Sequence, residues 1–207
     1  MIAVIDYDAG NTRNVLRALE AIGVNAVLSS DPEVLRQADG LILPGVGAFK
    51  QAMQALDDRN LIAVIHERVA QQVPLLGICL GMQLLVEASE EYGYTKGLSL
   101  IPGTCRALTA TSDYPVPHMG WNQLHVFSPD ALTEDVDQAY VYFVHSYYTD
   151  VPEAYLRVFS DYNGRIPAMI SKGHVFGAQF HPEKSGDIGH KILKNFKEYV
   201  YGDPTSN

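Results

Sequence analysis

The hydrophobic pattern changes character halfway along the chain. In the first half, short unbroken apolar runs alternate with stretches of helical period. Met1–Asp6, Gly40–Leu43 and Pro74–Ile78 are such runs, the mark of strands buried on both faces. Asn25–Leu28 reads as a further strand. Between them Val15, Leu16, Leu19 and Ile22 recur at helical spacing, with Arg13, Arg17 and Glu20 on other faces. Asn11 or Thr12 is the candidate cap of that helix and Gly23 its stop. Phe49–Gln72 carries one or two helices through Leu61, Ile62, Ile65 and Val69, and Leu80–Ala88 reads as another helix. This alternation predicts an α/β fold: a mostly parallel open sheet with helices on both faces.

From Thr104 onward short strands dominate: Thr104–Leu108, Gln123–Val126, Ala139–Val144, Tyr155–Phe159, Ala168–Ser171 and Val175–Gln179. Turn residues separate them, as at Asn163-Gly164 and Lys172-Gly173, so antiparallel strands are expected to be added to the sheet. A last amphipathic helix, Ile188–Tyr201, closes the pattern through Ile188, Ile192, Leu193, Phe196 and Val200. No repeat or linker divides the chain, which predicts one domain over 1–202 and a loose tail at 203–207.

Composition narrows the class. The chain has 207 residues, 47% hydrophobic and 19% charged, which is ordinary for a globular domain and long enough to bury a core. No apolar run reaches the ~18 residues of a membrane span. The opening MIAVIDYD has no basic stretch of the signal-peptide kind, so a cytoplasmic protein is expected. The net charge of −9 disfavours a nucleic-acid partner, which asks for a basic face. Two cysteines, Cys79 and Cys105, make neither a disulfide framework nor a zinc site of their own.

The sharpest chemical signal is Gly77-Ile78-Cys79-Leu80-Gly81, a G-x-C-x-G sequence between an apolar strand and a helical run. That context is a nucleophile elbow: glycines flank a tight turn that lifts the sulfur off the sheet. Backbone N–H groups there favour a thiolate and can hold an oxyanion. The plain alternative is a buried small hydrophobe. A nucleophilic thiol needs a base and an orienter. Gln179-Phe180-His181-Pro182-Glu183 offers both, since His181 and Glu183 share one side of an extended segment and Pro182 biases His181 toward that conformation. None of the other six histidines has an acid two residues on. Pro44-Gly45-Val46-Gly47 ends another strand and can turn N–H groups toward a ligand, though alone it is an ordinary turn.

These residues together resemble a known family. Cys79 in GICLGMQ and His181 with Glu183 in QFHPEKS are similar to the class I, triad-type glutamine amidotransferases, whose fold is flavodoxin-like. PGVGAF at 44–49, PHMGWN at 117–122, YFVHSYY at 142–148 and the opening DYDAGNTRNV narrow the resemblance to the glutaminase subunits of imidazole glycerol phosphate synthases, in histidine biosynthesis. The resemblance spans the chain. It implies that Cys79 attacks the side-chain amide of glutamine, that His181 serves as acid and then base, and that Glu183 orients it. It assigns the oxyanion donors to Leu80 with Val46 or Gly47. It assigns the substrate contacts to Gly45, Gln83, His145, Ser146 and Tyr147. It implies a heterodimer in which ammonia passes to a separate (β/α)8-barrel cyclase subunit, with Trp121 and Tyr142, and less firmly Asn11 and Arg17, near the interface.

Asp8 stands where that family more often has Gly, which weakens the first-helix interface contacts but not the chemistry. Met82 argues against an anthranilate-type enzyme, which usually has His there. Other readings are a glutaminase for a different synthase, anthranilate-type or pyridoxal-phosphate-type, a stand-alone cysteine hydrolase, and a non-catalytic binding subunit. Cys105 reads as a core thiol, and Asp130, Glu134, Asp135 and Asp137 as a solvated acidic loop. No metal-ligand spacing and no G-x-x-x-x-G-K-[ST] loop occur, so no metal, ATP or other cofactor is expected.

Overall fold

The computed structural model describes residues 1–202; the expected loose tail, 203–207, lies outside the described residues. The apolar runs form β1 (Ile2–Ile5), β2 (Ala26–Ser29), β3 (Gly40–Leu43) and β4 (Leu75–Ile78). Between them run α1 (Thr12–Ala21), α2 (Pro32–Arg36), α3 (Phe49–Asp58) and α4 (Leu61–Ala70). Asn11 is the α1 cap by position, but its side chain makes no capping hydrogen bond. The helix α2 has no counterpart in the periodicity because it buries only Leu35. Its start is nonetheless written locally: the Asp31 side chain accepts from Glu33 N–H, and Pro32 opens the first turn.

Beyond β4 the chain forms α5 (Leu80–Leu84), shorter than the Leu80–Ala88 helix the pattern predicts. The helix stops because Ala88 and Ser89 enter a strand, β5 (Ala88–Ser89), which pairs with β6 (Thr95–Lys96) and β7 (Thr104–Ala107). Then come β8 (His118–Gln123), β9 (His125–Val126), β10 (Tyr140–His145), β11 (Tyr147–Asp150), β12 (Leu156–Asp161), β13 (Arg165–Lys172), β14 (Val175–Ala178) and α6 (Gly186–Tyr201).

The large sheet has the order β2-β1-β3-β4-β14-β13-β12-β9. Its strands β2 to β14 pair in parallel, and β13, β12 and β9 add an antiparallel edge. The expected addition of antiparallel strands therefore holds for part of the second half. The rest leave the sheet: β8 and β10 form a two-stranded ribbon, and β11-β7-β5-β6 a small separate sheet. The predicted strand Gln123–Val126 is broken at Leu124, whose buried side chain marks the pivot between ribbon and large sheet.

The central strands β1, β3, β4 and β14 are buried on both faces, which is why β1, β3 and β4 read as unbroken apolar runs. Ala3, Ile5, Leu41, Leu43 and Leu75 pack with α2, α3, α4 and α5 on one side. Ile2, Val4, Ile42, Leu76 and Ile78 pack with α1 and α6 on the other. Asp130 departs from the solvated-loop expectation. Its carboxylate accepts from Ser171 Oγ at 2.7 Å and lies 3.7 Å from Arg157 Nε, so it ties the loop to β13. Glu134, Asp135 and Asp137 are exposed as expected. No helix among the described residues is long and apolar enough to cross a membrane.

The helix α5 presses against the end of β3. A Cβ on Gly81 would lie 1.8 Å from the Leu43 carbonyl oxygen, and one on Gly77 would lie 2.6 Å from the Gly81 carbonyl oxygen. Backbone cannot yield as a side chain can, so Gly81→Ala is expected to cost about 3 kcal/mol in urea unfolding. A loss under about 1 kcal/mol would contradict this account of the packing.

Candidate active site

Cys79 sits at the carboxyl end of β4, where the chain turns into α5. Its φ of 55° and ψ of −112° are strained for a residue with a side chain. The turn is held from behind by Cys79 N–H donating to the Ala178 carbonyl of β14 at 2.8 Å. Gly77 and Gly81 permit the tight approach, so the G-x-C-x-G spacing has the steric cause expected of an elbow.

His181 follows β14, the strand next to β4, so sheet order alone brings it beside Cys79. Its N–H donates to the Tyr142 carbonyl at 3.0 Å, and Ser185 Oγ donates to its carbonyl at 2.6 Å. Nδ1 of His181 lies 2.8 Å from Glu183 Oε1, and both side chains are buried. His181 and Glu183 do not share one extended segment as expected: Pro182–Lys184 is a 3₁₀ turn, and that turn folds Glu183 back onto the ring. A carboxylate accepts only, so Nδ1 carries the proton and Nε2 is left without a hydrogen-bond partner. Burial opposes charge on His181, but the neighbouring Cys79 and Glu183 outweigh it and raise its pKa to about 9.

A cavity of about 550 Å³ opens over Cys79 and His181. Val46, Gly47, Leu80, Gln83, His145, Ser146 and Tyr147 line it, with Glu91, Tyr92, Pro117, Val144 and Lys184. Gly45 is buried behind it, where a Cβ would meet the Tyr7 hydroxyl at 2.5 Å. Leu80 N–H donates to the Gly45 carbonyl at 3.3 Å. The Gly45–Val46 peptide is trans. Its carbonyl faces Leu80, so Val46 N–H points the opposite way. The loop has room to change: Val46 is exposed, and Gly47, with φ of 101°, has open space around it.

His145 lines the cavity, yet both its ring nitrogens are engaged inward, with Tyr147 carbonyl at 2.8 Å and His118 at 2.9 Å. Its side chain therefore has no nitrogen left for a substrate. Burial pushes His145 down to about 3, and His118 down to about 4. Gln83 Nε2 donates to the Tyr147 carbonyl and to Gln179 Oε1, each at 3.1 Å, and Gln179 Nε2 lies 3.9 Å from Cys79 Sγ. Trp121 is 57% exposed on the β8–β10 ribbon, opposite Tyr142, with ring centroids 6.2 Å apart. Asn11 and Arg17 lie on the start and the exposed face of α1, outside the cavity. Three further residues stand at the site without an assignment from sequence: His118, Gln179 and Glu91. The first two lie inside motifs already singled out, PHMGWN and QFHPE, while Glu91, which accepts from Phe49 N–H at 2.7 Å, left no signal. Cys105 is fully buried away from this site, and burial raises its pKa to about 12. Among the described residues no cluster of three His, Cys, Asp or Glu could hold a metal.

A cysteine on a strained elbow, a buried histidine oriented by a carboxylate, and a lined cavity are the parts a thiol acyl-transfer site needs. The family profile "Glutamine amidotransferase class-I" matches residues 3–199, and the chain belongs to that family. Within it, the imidazole glycerol phosphate synthase subunit HisH of Streptococcus gordonii is 62% identical over 201 residues, 97% of each chain. HisH of Listeria monocytogenes is 53% identical over 97% of this chain and 96% of its own. A crystal structure of a glutamine amidotransferase shares the fold with a TM-score of 0.77 at 19% identity, covering 98% of this chain and all of that one.

The raised His181 pKa has a direction that can be checked. Its folded value lies above the unfolded one of about 6.5, so the proton stabilises the fold fully below that pH. The contribution is lost as pH rises through about 9. Cys79→Ala removes one of the two neighbours that favour the proton on His181, so the His181 titration in an NMR pH series is expected to move down. An unmoved midpoint would contradict the coupling.

Proposed function

We propose that this chain is the glutaminase subunit of imidazole glycerol phosphate synthase, working as a single amidotransferase domain over residues 1–202. One observation carries the catalytic assignment: His181 is held through Nδ1 by Glu183 with Nε2 left free beside Cys79. Cys79 sulfur attacks the side-chain carbonyl carbon of glutamine. His181 Nε2 takes the Cys79 thiol proton and passes it to the amide nitrogen, the C–N bond breaks, and ammonia leaves a γ-glutamyl thioester. Water, deprotonated by His181, then breaks the C–S bond to give glutamate. Glu183 holds the ring in the one tautomer that serves both steps. Gly45, Gln83, Ser146 and Tyr147 are the proposed substrate contacts, with His145 contributing through its backbone.

The oxyanion site is the regulated part of this reading. Leu80 N–H is one donor, and it is now engaged by the Gly45 carbonyl. A flip of the Gly45–Val46 peptide would free Leu80 and turn Val46 N–H toward the cavity. One such donor is worth roughly 2.7–4 kcal/mol, or about 10²–10³ in rate. A resting state without the donors would spare glutamine until the acceptor is ready. The partner in this proposal is the (β/α)8-barrel cyclase subunit, which receives the ammonia. The exposed Met119 and Trp121 on the β8–β10 ribbon support a partner surface there, with Tyr142, Asn11 and Arg17. A cytoplasmic location, without cofactor, belongs to the same proposal.

Glutamate release from glutamine tests it, measured for the chain alone and with a barrel cyclase and its nucleotide substrate. The chain alone should be nearly silent and rise at least about 10²-fold with both present, the weight of a restored donor. Cys79→Ala should abolish release, and Glu183→Gln should lower it by about 10²- to 10⁴-fold. Full activity of the isolated chain would support a stand-alone hydrolase instead.

A further inference from the structure

We infer that His118 is a positioning residue for the glutamine cavity: held by Asn122, it locks His145 in the tautomer that clamps the Tyr147 carbonyl. This deepens the glutaminase reading and rests on it.

Hydrogen-bond chemistry at the two ends of this chain fixes its direction independently. At one end, Asn122 Oδ1 accepts from Gln123 N–H at 2.7 Å, so the amide nitrogen of Asn122 must face His118 Nε2, 3.3 Å away. Nε2 of His118 is therefore the acceptor and Nδ1 carries the proton. At the other end, the Tyr147 carbonyl can only accept, so His145 Nδ1, at 2.8 Å, carries that ring's proton. A neutral His145 then has a bare Nε2, which accepts from His118 Nδ1 at 2.9 Å. Both ends demand the same two tautomers. The burial that keeps each ring neutral allows no second proton to relax the demand.

The consequence reaches the site because of where the clamp lies. His145 ends β10 and Tyr147 begins β11, so the cavity-lining bend at Ser146 lies between the clamped ends. His145 and Gln83 together occupy both lone pairs of the Tyr147 carbonyl. Without the His118 donor, His145 can take the other tautomer and release Tyr147. The ribbon that carries His118 inward also presents Met119 and Trp121 outward.

His118 has a packing role as well, stacked between Phe143 and Tyr162 at centroid distances of 4.6 and 3.9 Å. The test must separate the two. His118→Phe keeps the stack and loses the donor. His118→Asn loses the stack but places an amide nitrogen near the Nδ1 position. His118→Gln places its amide near Nε2 instead. The full chain would be labelled at Cys79 with 6-diazo-5-oxo-L-norleucine, a glutamine-shaped electrophile, and separately with iodoacetamide, which needs no glutamine pocket. His118→Phe is expected to raise the concentration for half-maximal labelling by the glutamine analogue about three- to tenfold, the weight of one hydrogen bond, with little change for iodoacetamide. His118→Asn should recover most of the loss and His118→Gln should not. Analogue labelling of His118→Phe at the wild-type concentration, or a larger defect in His118→Asn than in His118→Phe, would overturn the inference. Long-range ¹H–¹⁵N spectra of the unaltered chain provide a second readout that needs neither labelling nor a variant. Both rings should show Nδ1–H and bare Nε2; an Nε2–H form of His145 would overturn the inference too. If the analogue failed to label the unaltered chain even with the barrel cyclase and its nucleotide substrate present, while those tautomers were seen, the glutaminase reading would fall and the clamp would stand.

Discussion

Everything in the site is referred to one strained residue. Cys79 holds a positive φ at the mouth of a buried parallel strand, and that conformation survives only because the surroundings permit nothing else. Behind it, β14 accepts its N–H; in front, α5 is pressed against the end of β3 through a glycine. The neighbouring strand β14 then brings His181 beside Cys79, so the two side chains are placed by sheet order. Beyond the strand end, Tyr142, Ser185 and Glu183 then fix His181 by hydrogen bonds to its backbone and ring.

The parts not fixed by the sheet are those able to change. The Pro44–Gly47 loop has open space beside Gly47 and an exposed Val46, and its Gly45 carbonyl accepts from Leu80 N–H, the proposed oxyanion donor. Across the cavity, the wall from His145 to Tyr147 is fixed by side chains, Gln83 on one side and the His145–His118 pair on the other. In the proposed reaction the first side of the site moves and the second stays.

How much of this was legible follows from the range of each interaction. The parallel half was readable because strands buried on both faces leave unbroken apolar runs, and helices between them leave a period. The short helix α2 was not, because one buried leucine makes no period; its evidence was a cap, Asp31-Pro32, of the kind that local reading can find. The end of α5 was not readable either, since what stops it is pairing with residues that follow well along the chain. Cys79 was legible through its flanking glycines, and the His181–Glu183 pair through its spacing. The geometry behind that pair was misjudged, however: a 3₁₀ turn, not an extended segment, joins the two. His118 and Gln179 could not be read as site residues, because their partners lie 27 and 96 residues away. Asp130 was misjudged for the same reason, its partner Ser171 being 41 residues away on β13.

The central claim is that Cys79 carries the glutamyl group in the reaction. The most direct measurement is intact-mass and peptide mapping of acid-quenched protein during turnover of isotopically labelled glutamine, with the barrel cyclase and its substrate present. The account predicts a labelled γ-glutamyl thioester on the peptide containing Cys79, absent from Cys79→Ala and accumulating when the water step is slowed. Steady glutamate production with the label on no cysteine, or with Cys79→Ala still active, would contradict it.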